Sequence, residues 1–108
     1  MTRVHMDWRT FTLVAEGHAC AGVSGHDIVC AGISALTQAL LNVLEEENDE
    51  GRLTETHSID EKAGSISINT DPGRTPRKLV EAWYRVTVTG LRAIEQEYPE
   101  HIKITEVE

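Results

Sequence analysis

His18, Cys20, His26 and Cys30 fall within thirteen consecutive positions of the stretch GHACAGVSGHDIVCAG, residues 17–32. Thiol and imidazole are the pair from which a nucleophile and its base are made: a thiolate attacks a carbonyl carbon, and a protonated imidazole delivers a proton to the leaving amine. The same four side chains are types that zinc takes. Their spacing, with one, five and three residues between them, departs from the usual C-x₂₋₄-C and H-x₃₋₅-H pairings, so no metal and no cofactor are expected. A Cys20–Cys30 bridge would silence the nucleophile. It is expected only as an oxidative event or a transient switch, because cytosolic thiols stay reduced.

Cys30 is placed better than the other thiol. Asp27 stands where a helix N-cap should stand, with its carboxylate able to accept the amides of Val29 or Cys30, which puts Cys30 in the first turn. Unpaired N–H groups and the helix dipole favour an anion there. An ordinary thiol, ionising near pH ~8.5, is only a few per cent thiolate at neutrality, and a helix end supplies roughly 0.3–2 kcal/mol toward it. An imidazole must do the remainder. His18, at the end of a predicted strand, is held more rigidly than His26, which sits in a glycine-bearing loop, and is the better base. The amides of Cys30 and Ala31 offer themselves as donors to the oxyanion of a tetrahedral intermediate.

Around this stretch, apolar residues set the elements. Val4, Met6 and Trp8, then Phe11, Leu13 and Ala15, alternate with polar neighbours and predict a hairpin turning near Arg9–Thr10. Gly17 to His26 reads as a loop. From Ile28 onward, Val29, Ile33, Leu36, Leu40, Val43 and Leu44 recur at three and four, a helix that the acidic run Glu45 to Glu50 and Gly51 should end. Leu53 to Ile59 and Ser65 to Asn69 predict a second hairpin. Asn69 to Gly73 is a turn, and Thr75 as cap with Pro76 at the first helical position starts a second helix, which Pro99 stops. Val86, Val88 and Gly90 weaken that helix locally, by a few tenths to about 1 kcal/mol each. His101 to Val107 is a last strand. The order ββαββαβ predicts an α+β, two-layer domain: a mostly antiparallel sheet with two helices on one face.

The 108 residues are enough for one core, so a single domain over 1–108 is expected. Neither a signal peptide nor an uninterrupted apolar run of membrane length is present, which points to a cytoplasmic protein away from membranes. Ten Lys plus Arg against eighteen Asp plus Glu give a net charge of −8. That charge repels phosphate backbones, and five aromatics without a basic stripe make no stacking platform, so no direct nucleic-acid partner is expected. The acidic run Glu45 to Glu50 reads as a solvated helix end that would also attract a basic protein weakly. His5, His57 and His101 read as surface groups, and Trp8 and Trp83 as core or contact aromatics.

Gly17-His18-Ala19, Gly25, Asp27-Ile28-Val29-Cys30-Ala31 and Ser34-Ala35-Leu36 resemble the ribosomal-processing cysteine proteases called Prp, with their GHA and G-x-DIVCA signatures at similar separation. Length, acidity, element order and the second helix ending Glu-Gln-Glu-Tyr fit as well, so the resemblance covers essentially the whole chain. It implies a cysteine endopeptidase that removes a short amino-terminal extension from large-subunit ribosomal protein twenty-seven. It also implies that His18 is the catalytic histidine and Cys30 the nucleophile, that Asp27 and Ser34 support helix start and pocket, and that the protein is a homodimer whose loop reorganises around substrate. Cys20 and His26 lie outside the signature. Without the resemblance, Cys30 reads as a small buried residue and Ser34 as a hydroxyl bonded to a preceding carbonyl. A non-catalytic ribosome-assembly or peptide-binding module of the same fold is the alternative from another class.

Overall fold

The computed structural model describes residues 1–17 and 27–108. Its elements run β1 Thr2–Asp7, β2 Thr12–Glu16, α1 Ile28–Asp49, β3 Thr54–Asp60, β4 Ser65–Asp71, α2 Arg77–Glu97 and β5 Ile102–Val107, the order expected from the apolar periods. One five-stranded sheet has the strand order β3-β4-β2-β1-β5. Three ladders are antiparallel, while β5 lies parallel to β1 at the sheet edge.

Register explains the layering. Val4 faces Ala15 and Ile104, Met6 faces Leu13, and Leu13 in turn faces Ile68, so a single sheet face carries the apolar set. Val29, Ile33, Leu40, Leu41 and Leu44 of α1 and Val80, Tyr84, Val88 and Leu91 of α2 are buried against it. By length and composition α1 would be apolar enough to cross a membrane, yet it is a core helix that buries one stripe on the sheet. The opposite sheet face stays polar, with Arg3, His5 and Lys103 exposed on it.

The two helices meet through small residues. A methyl group added at Gly90 would come within 2.7 Å of Leu36, and one at Gly32 within 3.0 Å of Ile94. Gly90, a weak point for helix propensity, is therefore the place where α2 must leave room for α1.

Boundaries depart from expectation for local reasons: β4 runs on to Asp71 through residues expected to turn, because Thr70 and Asp71 pair with Glu55 and Thr54. Phe11 is not in a strand: its φ of 50° closes the first hairpin turn in the left-handed region, and β2 starts at Thr12. The acidic run does not end α1 but continues it to Asp49. Gly51, at φ 73°, stops it; its N–H donates to the Asn48 carbonyl and that of Arg52 to the Glu47 carbonyl, closing a Schellman motif. Pro76 sits at the cap of α2 rather than inside it, since its ψ of 132° is extended. The Thr75 hydroxyl donates instead to the Arg52 carbonyl at 3.2 Å.

Candidate active site

Asp27 begins α1 as its residue type demands. Its Oδ1 accepts the backbone N–H of Val29 and of Cys30, both at 3.0 Å, with the residue itself in extended backbone. Its carbonyl accepts the N–H of Ala31 at 3.1 Å. These bonds fix the first turn, and with it the direction of the Cys30 side chain. Cys30 is half-buried, packs against the core cluster and forms no disulfide among the described residues.

The cap changes one expectation. The amides of Cys30 and Ala31 were the natural oxyanion donors, but both already donate into Asp27. Ala31 is exposed and serves the cap rather than the oxyanion. The carboxylate of Asp27 also offsets part of the field that the helix end offers an anion, which leaves more of the thiol's activation to a neighbouring base.

Gly17 brings the second strand to the same place. Its φ of 89° belongs to the left-handed region, and a Cβ there would lie 2.8 Å from the Met1 carbonyl oxygen, a backbone atom that cannot swing aside. The Thr2 hydroxyl donates to the Gly17 carbonyl at 3.1 Å. Residue 17 is thus pinned to the start of β1 immediately before His18 in sequence. His18 itself, with Cys20, Gly25 and His26, lies outside the described residues, as do three of the four ligands of the zinc set considered above. Among the described residues no group of three metal-ligating side chains occurs.

Cys30 and Gly17 line a common cleft of about 310 Å³ between α1 and the β3–β4 hairpin. Its floor is apolar, from Ala15, Ile33 and Ile66, and the hairpin side carries Ile59, Asp60 and Glu61. Ser34 and Gln38 continue the line of Cys30 along α1 at successive steps of four. The Ser34 hydroxyl makes no hydrogen bond to a described residue; it is Thr37 that bonds back to the Ile33 and Ser34 carbonyls. The structure therefore brings Gly17, Cys30 and Ser34 together, with Asp27 behind them as the cap. Gln38, Ile59, Asp60 and Glu61 were not singled out in the sequence. The spacing of Gln38 from Cys30 was a readable signal; the hairpin residues carry none, because only the sheet order brings them there.

A larger groove of about 850 Å³ runs between α2 and the β5 edge, and several cations line it. Most are already engaged. Arg9 pairs with Asp7, Arg92 with Glu95 and Glu106, and Arg77 reaches the Trp8 carbonyl with its guanidinium 4.5 Å over the Phe11 ring. No cysteine among the described residues lines it, whereas Cys30 lines the smaller cleft.

Comparison with known proteins gives the family and the fold. The family model described as cysteine protease Prp matches residues 1–103. The chain is 30% identical over 104 residues to the ribosomal processing cysteine protease Prp of Staphylococcus aureus, covering 94% of this chain and 91% of that one. To the ribosomal processing cysteine protease Prp of Mycoplasma genitalium it is 38% identical over 95 residues, 87% and 86% of the two chains. The crystal structure of the S. aureus protease with a covalently linked product peptide superposes with a TM-score of 0.81 at 23% identity, covering 99% of this chain and 100% of that one, a likeness of fold.

Proposed function

The chain belongs to the cysteine protease Prp family and is a hydrolase, and from that premise we propose that Cys30 is its nucleophile and His18 the base that serves it. The observation that carries this reading is the shared cleft. Cys30 opens into it from the first turn of α1, and Gly17, the residue directly before His18, lines the other side. The imidazole takes the thiol proton and Sγ bonds to the scissile carbonyl carbon. The tetrahedral intermediate collapses with loss of the amine, which leaves carrying that proton. Water then hydrolyses the thioester, giving its proton to the imidazole and restoring the thiol as the acid departs. With the amides of Cys30 and Ala31 committed to Asp27, the first-turn N–H without a partner among the described residues is that of Ile28, the donor this reading offers the oxyanion.

The substrate in this reading is the amino-terminal extension of large-subunit ribosomal protein twenty-seven, met in the cytoplasm by a homodimer. Relatives named ribosomal processing proteases, and an S. aureus structure with a substrate peptide, support that class of substrate. The decisive experiment incubates the purified protein with a peptide spanning the extension junction and follows the products by mass spectrometry. Wild type is expected to cut once, and Cys30→Ala to lose at least about a thousandfold in rate while retaining the peptide. Equal cutting by the variant would remove Cys30 from the chemistry. Tight binding without cutting, indifferent to thiol alkylation, would favour the non-catalytic alternative.

A further inference from the structure

Resting on the assignment of this cleft to a peptide, we propose that Gln38 is a positioning residue that docks the substrate backbone, so that the cleft holds about four extended residues on one side of the scissile bond. Cys30, Ser34 and Gln38 form one stripe of α1 at i, i+4 and i+8, all lining the cleft. Each step of four rises about 6 Å along a helix. An extended peptide repeats the same-facing backbone group every two residues, about 6.6–6.8 Å. The stripe therefore matches the peptide repeat nearly one to one. The span from Cys30 to Gln38, about 12 Å, corresponds to three to four peptide residues.

The chemistry of both walls fits an extended chain. Ser34 and Gln38 are exposed, and neither side chain has a hydrogen-bond partner among the described residues. A hydroxyl and a primary amide supply both donors and acceptors, which is what peptide carbonyls and amides need. Across the cleft, Ile59 is 47% exposed although its cross-strand neighbour Ile66 is buried at 8%. It stands on the helix side of the edge strand β3, about half open to solvent. Side chains that alternate toward the floor would cover Ile59 and Ile33 while the backbone lies on Ser34 and Gln38.

The test separates docking from chemistry. Binding is measured by titration calorimetry with the Cys30→Ala protein, using the extension-junction peptide and two series shortened one residue at a time from either end. Affinity is expected to fall about two- to tenfold in one series, at the loss of the third or fourth residue from the junction, and Gln38→Ala should cost the same factor with the long peptide and nothing with the short ones. Gln38→Glu, which keeps an acceptor, should recover part of it. In cleavage by the Cys30 protein, Gln38→Ala should raise KM for the long peptide with kcat unchanged. A Gln38→Ala loss that is the same at every peptide length, or affinity that ignores truncation in both series, overturns the proposal. Absence of cleavage by the Cys30 protein would instead strike the assignment of the nucleophile, and the binding series would still decide the role of Gln38.

Discussion

The corner around Tyr84 and the cleft beside Cys30 lie on the same side of the sheet, yet they use their polar groups in opposite ways. At the corner everything is satisfied. The Tyr84 hydroxyl donates to the Phe11 carbonyl at 3.0 Å and bonds the Thr70 hydroxyl at 2.8 Å, and the Thr70 amide donates to the same carbonyl. The rings of Phe11 and Tyr84 stack with centroids 5.5 Å apart. This overdetermination is what keeps a phenylalanine in the left-handed region, a conformation that costs of order 1–3 kcal/mol. At the cleft, by contrast, a hydroxyl, an amide and an isoleucine are exposed, and neither polar side chain has a partner among the described residues. Stability is concentrated in one place and unsatisfied capacity in the other, which is what a binding site needs of its scaffold.

If that contrast is right, damage at the corner should remove the fold and spare the chemistry, and damage at the cleft should do the reverse. The largest effect is expected for Tyr84→Ala, which empties a fully buried site and should cost about 3–5 kcal/mol in denaturant unfolding, with the activity of the folded fraction unchanged. Tyr84→Phe tests the hydroxyl alone. Burial, partly opposed by the Thr70 hydrogen bond and helped by the Glu55 charge, pushes the phenol up to about 12. The folded state thus keeps its proton while the unfolded chain releases it near pH 10. Stability from this group is complete below pH 10 and falls by about 1.4 kcal/mol per unit toward pH 12. The Phe variant, weaker at neutrality by about 1–3 kcal/mol, should lose that alkaline slope in pH-dependent melts.

Gly17→Ala comes next and should break the cleft. It combines left-handed backbone with a 2.8 Å approach to Met1, so about 1–3 kcal/mol of strain is expected. Cleavage should drop more than tenfold because the next residue is His18. A variant that melts lower but cuts normally would dissociate the pinning of Gly17 from the chemistry. The smallest effect belongs to the Arg92 network on the surface. Arg92, then Trp8, hold the Glu106 carboxyl below its ordinary range, so its contribution is present above the unfolded value and disappears as pH falls through the folded one. Arg92→Met should therefore reduce the loss of stability in acid, by under about 1 kcal/mol for so exposed a pair.

The same contrast governs what could be read from the sequence. Apolar periods gave all seven elements, because Val4, Met6, Leu13 and the α1 stripe each report a local face. Asp27 was legible as a cap, since its type and the helix start are neighbours. The partner of β5 was not legible: nothing in Ile102 to Val107 says that it runs parallel to β1 one hundred residues earlier. Local rules also misjudged the amides of Cys30 and Ala31, which looked available until Asp27 took them. Gly90 looked like a defect until Leu36 stood against it. Gln38 was visible as the second step of four from Cys30, but that spacing acquires meaning only when the β3–β4 hairpin closes the other side of the cleft.

The contact of Leu36 with Gly90, and of Gly32 with Ile94, has a mechanical side. Because no Cβ cushions these crossings, α2 is a fulcrum on which the front half of α1 rests, and the sulfur rides at the free end of that lever less than two helical turns from Leu36. Any group that thickens the crossing tilts the beam. The aim of the Cys30 sulfur is thereby entrusted to hydrogen atoms at position 90, on the opposite side of α1.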